Sequence, residues 1–386
     1  MGSGSAFPLV RELVRNDRDD FSRLLLTFEF AILPPMSENI VIRVPNHLGD
    51  AVMGLSMVAE TREAWHGSRV TVLTPAGFVD LFESNPSVDE IIPIPGDLLH
   101  GIGSVFRIKA LVAPHKFTLS MVMPPSFGSA SSFVLAGIPE RIGYATDGRR
   151  LLLTKPILLP EPVNSVHRSE LYFNLLLRAS GKSLTYYQPR LMVNDKDVEN
   201  AFERLPETKG LVANNFVAVS FRARADSRRW GAENYTALCK RIVSEYGYKC
   251  LLLGGKDDMR EGDQIAFGVG DGKAINLSGK TSVRQTAALM SRAKVVVGDD
   301  SGPIHLAAAV GAMVILINGA GDPKETEPAT PRKRMIVLSH HPCVPCVRNT
   351  CPLKGGEYMR CIRDVTVDML FEALRSGHEE VEAGER

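Results

Sequence analysis

The side chains most suited to chemistry lie in three short stretches. The first is Val295–Val310, an apolar run that passes through a Ser301-Gly302 turn into a helix opened by Pro303. Proline's missing N–H costs nothing at that position. The first-turn amides and the helix dipole favour an anion. Gly302 predicts close approach of a phosphate to the backbone. Ser301 would cap the helix or bind a phosphate oxygen, and His305, one turn in, would point at the same anion. The plain alternative is ordinary capping, with His305 packed on a neighbour.

The second stretch, Phe221–Trp230, carries Arg222, Arg224, Arg228 and Arg229 directly after a strand candidate, Phe216–Phe221. Guanidinium forks at the carboxyl end of a parallel strand suit a diphosphate, although such a loop can also be a solvated charged surface. The third is Pro45–Val52, joining a first strand to a first helix. Asp50 opens that helix, where a carboxylate is stabilised. It would serve either as a cap or as a general base for a hydroxyl held within hydrogen-bond reach.

A fourth feature is Cys343, Cys346, Cys351 and Cys361, spaced C-x2-C-x4-C-x9-C around a Gly355-Gly356 turn. A tight knuckle and a returning loop can close a tetrahedral thiolate site for a structural Zn or Fe, with His340 and His341 as substitutes. Reduced thiols packed in a loop, or a redox pair, remain the alternatives. Cys239 and Cys250 read as core.

These stretches must be positioned by βαβ units. Strand candidates at Ile40–Val44, Val70–Leu73 and Thr118–Met123 alternate with helical periodicity at Ala51–Ala64 and Ser126–Ala136. A helical stretch, Ser169–Ala179, ends at Gly181. A second series follows: strands at Phe216–Phe221, Lys249–Leu253, Val295–Val297 and Val314–Ile317, and helices at Ala232–Tyr246, Val283–Arg292 and Ile304–Val310. The expectation is an α/β protein of two Rossmann-like domains facing each other across a cleft, with ligands at the strand carboxyl ends. The expected division is 1–38 as an extension of unknown role, 39–190 and 191–375 as the two domains, the second including a cysteine-rich loop at 340–362, and 376–386 as a polar tail. Within the extension, Val10–Phe30 has helical spacing.

The 386 residues suffice for two cores. With 45 Lys and Arg against 44 Asp and Glu, no global field draws the chain to nucleic acid. No apolar run is long enough to span a bilayer, and Leu24–Pro35 holds Glu29 and lacks a small-residue cleavage site. A cytoplasmic protein, peripheral to the inner membrane at most, is therefore expected. Six cysteines there argue against a disulfide framework.

Taken in order, the motifs resemble glycosyltransferase family 9, the ADP-heptose:lipopolysaccharide heptosyltransferases, and within it the heptosyltransferase II members. The carriers are Pro45–Met53, Arg141-Ile-Gly-Tyr144 with Arg149–Leu153, Arg228–Trp230, Asn276–Thr281 and Asp300–His305, and the likeness spans roughly residues 39–375. It implies a GT-B fold, an ADP-heptose donor, a lipopolysaccharide inner-core acceptor at the membrane surface, inversion at the sugar carbon, and no cofactor for transfer. It aligns Asp50 with the catalytic base. Donor contacts would fall to Arg222, Arg228, Lys280, Thr281, Asp300, Ser301, Gly302 and His305, and acceptor contacts to Asn46 and His47. Arg228 replaces the family's usual Lys, and His47 a frequent Trp. Arg107, Lys109, His115 and Lys116, in Gly96–Lys116, are expected to meet anionic headgroups or core phosphates. The rival readings are a heptosyltransferase acting on protein, a sugar-nucleotide epimerase or hydrolase, and a non-catalytic nucleotide-sugar binder.

Overall fold

The computed structural model describes residues 38–385 except 100, 102, 163–164 and 212–214. The helical reading of Val10–Phe30 lies outside them.

The first lobe runs β1 (Asn39–Arg43), α1 (Leu48–Met53), α2 (Leu55–Ala64), β2 (Arg69–Pro75), β3 (Glu90–Ile94), α3 (Gly103–Val112), β4 (Leu119–Val122), α4 (Phe127–Leu135), β5 (Glu140–Tyr144), β6 (Lys155–Ile157) and α5 (Arg168–Ser180). The second runs α6 (Asp195–Glu203), β7 (Phe216–Ser220), α7 (Ala232–Tyr246), β8 (Lys249–Leu252), α8 (Met259–Val269), β9 (Ala274–Asn276), α9 (Val283–Ser291), β10 (Val296–Asp299), α10 (Gly302–Ala309), β11 (Val314–Ile317), α11 (Pro323–Thr326), β12 (Lys333–Ile336), α12 (Arg360–Arg363) and α13 (Val367–Glu385). No described helix is long and apolar enough to cross a membrane.

Each lobe holds a six-stranded sheet, ordered β3-β2-β1-β4-β5-β6 and β12-β11-β10-β7-β8-β9. The pairings are parallel, as at β1–β4 and β10–β7. Central strands such as β7 and β11 are buried at every residue, as expected where helices cover both faces. In both sheets the order reverses between the first and fourth strands of the lobe, the crevice where ligands bind in open α/β sheets. This is the expected α/β architecture of two Rossmann-like lobes.

Local chemistry sets the element ends. Gly181 and Gly247 close α5 and α7 in left-handed conformation. Ser282 with Gln285, and Asn194 with Asp197, form capping boxes on α9 and α6. The expected domain boundary at 190 falls in the segment between α5 and α6, which holds no helix or strand.

Two expectations need correction. The single helix expected over Ala51–Ala64 is two helices meeting at Gly54, where a Cβ would lie 2.4 Å from Met123 Cε. Residues 376–385 are not a polar tail. They continue α13, whose buried Phe371, Leu374 and Val381 recur at helical spacing and pack on the β11 side of the sheet. Their apolar stripe was hidden among the charges of the other face.

A buried apolar cluster runs from Ile42 and Val52 in the first lobe to Ile304 and Leu316 in the second. At the β7–β10 switch point the strands leave no room for a side chain. A Cβ at Gly298 would sit 2.4 Å from the Ser220 carbonyl oxygen, a backbone atom that cannot swing aside. Gly298→Ala is expected to destabilise the protein by about 2–3 kcal/mol in urea unfolding. Gly77→Ala, where the Cβ meets nothing within 4 Å, should lie within about 0.5 kcal/mol of the parent.

Candidate active site

The carboxyl ends of β1 and β10 bring two helix amino termini together. A Cβ on Gly302 would lie 2.9 Å from Leu48 Cβ and 3.1 Å from Gly49 N. A Cβ on Gly49 would lie 2.9 Å from His305 Cδ2. The starts of α1 and α10 are therefore in backbone contact. This changes the expected role of Gly302: the space beside its Cα is filled by Leu48 and Gly49, so its lack of a side chain serves lobe packing here.

Asp50 sits in the first turn of α1 with its side chain 20% exposed. Arg168 Nη1 approaches Asp50 Oδ1 at 3.4 Å, and the Tyr172 hydroxyl donates to the same oxygen at 3.3 Å. Among the described residues no partner falls on Oδ2. The other arm of Arg168 reaches Glu325 at 3.1 Å, so one guanidinium bridges α5, Asp50 and α11. Burial opposes the Arg168 charge, but Asp50, Tyr172 and Glu325 together raise its pKa above the usual value. Burial, then Asp50, pushes the Tyr172 phenol far up, which keeps it a hydrogen-bond donor. His167 caps α5 through Nδ1 and contacts the Glu327 carbonyl at 2.8 Å through Nε2. Sequence reasoning missed Arg168, Tyr172 and Glu325. The helix carrying the first two was legible, but its distance in sequence from Asp50 gave no sign that they meet.

On the facing side, Arg228 Nη1 pairs with buried Asp300 at 2.9 Å, and His305 Nε2 stands 4.0 Å from the other Asp300 oxygen. Burial raises the Asp300 pKa and Arg228 opposes it. His305 is almost fully enclosed; burial lowers its pKa to about 4, so the ring is neutral near pH 7. Its Nδ1 has no hydrogen-bond partner among the described residues. Ser301 does not cap α10; its hydroxyl lies 3.4 Å from that of Ser220.

Asp299, at the end of β10, holds the arginine loop in place. Its carboxyl accepts from Ala223 N–H at 3.2 Å, Trp230 N–H at 3.3 Å and the Tyr235 hydroxyl at 2.8 Å. Burial pushes its pKa up to about 8 against those three donors. The loop is braced from outside as well. Ser227 N–H donates to the Asn349 carbonyl at 3.1 Å, and the Ser227 hydroxyl bonds the Arg348 carbonyl.

The remaining expected contacts are more dispersed. Arg222 is engaged by the Asp257 carbonyl, Asp258 and Glu261. Lys280 pairs with Glu207 at 2.9 Å, and the Thr281 hydroxyl bonds that of Thr286. Both precede α9, whose first turn meets the first lobe where Arg284 N–H donates to Asp80. Asn46 is held by buried Arg43 and donates to the Leu99 carbonyl at 3.4 Å. His47 Nδ1 faces Arg224 Nη1 at 3.4 Å across the lobes. Arg107 and Lys109 lie on the exposed side of α3, Arg107 paired with Asp97, whereas His115 stacks on Phe117 and faces Glu90.

Cys343, Cys346, Cys351 and Cys361 line one cavity of about 240 Å3. Among the described residues, however, no three or more His, Cys, Asp or Glu side chains are arranged to hold a metal ion. Cys351 Sγ accepts from the Met359 amide at 3.4 Å. Burial, then the three other cysteines, raises the Cys361 thiol to about 11. His341 is turned to Asp364. The residues do not fit the expected Zn or Fe site. What this segment contributes is the brace at Ser227.

Two parallel-sheet lobes with a carboxylate, a guanidinium and a helix amino terminus at their switch points make a GT-B-type architecture, one suited to a glycosyltransferase. The model of glycosyltransferase family 9 (heptosyltransferase) matches residues 105–356, and the chain belongs to that family. It is 26% identical to lipopolysaccharide heptosyltransferase 2 of Salmonella typhimurium over 359 residues, covering 87% of this chain and 97% of that one. The solved Escherichia coli ADP-heptose LPS heptosyltransferase II has the same fold, with a TM-score of 0.74 at 23% identity over 89% of this chain and 99% of that chain. A family 9 glycosyltransferase from Veillonella parvula scores 0.75 at 19% identity over 89% and 98%.

The buried His305 has a stability consequence. As pH falls the unfolded chain takes up a proton near 6.5, while the folded ring resists until about 4. The contribution of the neutral ring is complete above 6.5 and drains between 6.5 and 4, by about 3 kcal/mol in all. His305→Gln is expected to flatten that part of the unfolding free energy against pH, and the difference from the parent, measured in urea from pH 4 to 8, isolates the effect.

Proposed function

We propose that this enzyme transfers heptose from ADP-heptose to a heptose hydroxyl of the lipopolysaccharide inner core, with inversion at the sugar carbon. The observation that carries this reading is the split use of the Asp50 carboxylate. Arg168 and Tyr172 fix Oδ1, and Oδ2 is left for a substrate hydroxyl. The names of the relatives, lipopolysaccharide heptosyltransferases, supply the donor and acceptor class.

In this mechanism Asp50 Oδ2 accepts the proton of the acceptor hydroxyl as its oxygen forms a bond to the anomeric carbon. The bond from that carbon to the diphosphate oxygen breaks from the opposite face, and its electron pair leaves with ADP. Negative charge then grows beside the amino terminus of α10, where the amides at Ser301 and Gly302, Arg228 and the N–H of neutral His305 favour it. Arg228 pairs with Asp300 in the absence of donor and would be shared with the diphosphate when donor binds. Arg168 holds the base without touching the reacting atoms, so it is a positioning residue. Lys280, Thr281, Asn46 and His47 are assigned secondary contacts. Charge compensation by these cations and amides leads us to expect no loss of rate with EDTA.

The test is ADP release from ADP-heptose with and without a monoheptosylated Kdo-lipid A acceptor, with the anomeric configuration of the product read by NMR. Acceptor-dependent release with inverted configuration is expected. Release independent of acceptor, or retained configuration, would overturn the reading. Asp50→Ala should lower kcat by roughly 10²–10⁴-fold with donor Kd little changed. Near-parental turnover in that variant would remove Asp50 from the role. Arg168→Ala is expected to cost less, about 10–100-fold in kcat with donor Kd little changed, as the base loses a group that fixes its Oδ1.

A further inference from the structure

Among the described residues of the first lobe, six large hydrophobic side chains are strongly exposed: Phe106, Phe127, Val134, Leu135, Leu151 and Leu158. All lie between residues 106 and 158; none comes from β1 to β3. They are not scattered singly. Helices α3 and α4 pack on each other, and a Cβ at Gly128 would contact Val105 Cγ2 at 3.7 Å. Phe106 and Phe127 are the chain neighbours of that crossing point. Phe127, Val134 and Leu135 follow one outward stripe of α4 at i, i+7 and i+8. Leu151, 94% exposed, belongs to the turn Arg149–Leu152.

That turn is fixed in place by its own buried arginine. Arg149 donates to the carbonyls of Pro124, Tyr144 and Val122 and approaches the Ser129 hydroxyl. Its side chain is fully enclosed, with its bonds on the carboxyl ends of β4 and β5 and the start of α4. Arg150 and Leu151, both exposed, are thus presented on a turn that packs against α4. An Arg locked inward so that a Leu can stand outward in water is hard to explain by folding alone.

The surroundings are cationic. Residues 96–155 hold seven Lys and Arg against three Asp and Glu, in a chain whose total charge is +1. Neither α3 nor α4 carries an acidic residue. Arg107, Lys109 and Arg150 are exposed around the apolar residues. Among the described residues Arg107 pairs with exposed Asp97, a contact worth little in water and open to exchange for a phosphate. The surface also adjoins the Asp50 side of the cleft. Asn46, four residues before Asp50, bonds Leu99 just ahead of α3, and α4 starts from the carboxyl end of β4.

We infer that the exposed face of α3, α4 and the Arg149–Leu152 turn is a docking surface for an anionic lipid bilayer, with Phe106, Phe127 and Leu151 entering the headgroup boundary and Lys109, Arg107 and Arg150 meeting lipid phosphates. A bilayer fits better than a second protein, because the apolar residues share one face with exposed Arg107, Lys109 and Arg150, and neither helix carries an acidic residue. The inference deepens the lipid-linked acceptor reading and supplies its purpose: docking would hold the mouth of the cleft at the height of the acceptor sugars.

The test uses the full chain and sedimentation with vesicles of phosphatidylethanolamine and phosphatidylglycerol, against vesicles of phosphatidylcholine alone. The parent should pellet with the anionic vesicles, lose affinity steeply with added salt, and bind phosphatidylcholine weakly. The triple variant Phe106→Ser, Phe127→Ser, Leu151→Ser should bind anionic vesicles more than about tenfold more weakly, with thermal unfolding unchanged because all three are exposed. Its transfer to a delipidated, water-soluble acceptor should stay within about twofold of the parent. No vesicle binding by the parent, or equal binding by the variant, would overturn the docking surface and leave the transferase reading intact. Concentration-dependent self-association of the parent, abolished in the variant, would assign the face to a second copy and also overturn it. Absence of transfer by the parent to the soluble acceptor strikes the transferase reading instead, and vesicle binding is scored separately from it.

Discussion

Two helix amino termini meet at the centre of this molecule, Leu48 and Gly49 of α1 against Gly302 of α10. Each carries partial positive charge from unsatisfied N–H groups, so bringing two together is unfavourable unless anions lie close by. Asp50 and Asp300 supply those anions, one from each lobe. The contact also demands a residue without a side chain on both sides, because a Cβ on either glycine would fall within 3 Å of its neighbour. The placement of the candidate base, the enclosure of His305 and the route of the apolar cluster between the lobes all follow from this seam.

The electrostatics around the seam are arranged in pairs. Arg168 serves Asp50 and Glu325, and Arg228 serves Asp300. His305, in the middle, is neutral because burial outweighs the pull of Asp50, while His167, Arg228 and Arg168 add further opposition to a positive ring. A neutral imidazole can still donate one hydrogen bond, and it adds no charge that Asp300 would have to balance.

The arginine loop illustrates a second constraint. Four arginines in ten residues repel one another, and the loop stays ordered because its backbone is tied on two sides. Asp299 accepts from Ala223 and Trp230 at its two ends, and the cysteine-bearing segment accepts from Ser227 in its middle. Adjacent aspartates in one sequence motif therefore do different work: Asp299 faces inward to shape the loop, and Asp300 pairs with an arginine which that loop presents.

The sequence by itself determined the two βαβ series, the strand-to-helix turns that bear Asp50 and Ser301–His305, and the arginine loop after β7. Those features depend on short-range periodicity, on Gly and Pro at turns and on capping chemistry, all local. It did not determine which of these groups meet. Arg168, Tyr172 and Glu325 reach Asp50 only because α5 returns across α1 and α11 comes in from the other lobe. Spacing likewise suggested four thiolates around a metal, but among the described residues no three His, Cys, Asp or Glu side chains are arranged to hold one. The amphipathic stripe of α13 was lost among its charges, α3 was not read as a helix within Gly96–Lys116, and α4 read as ordinary helix with no sign of its exposed apolar face. The physical reason is common to these cases. Local energies fix where a strand or helix begins and ends, whereas ion pairing, enclosure and exposure depend on how elements pack, as across the 118 positions between Asp50 and Arg168, and only the tertiary arrangement sets those distances.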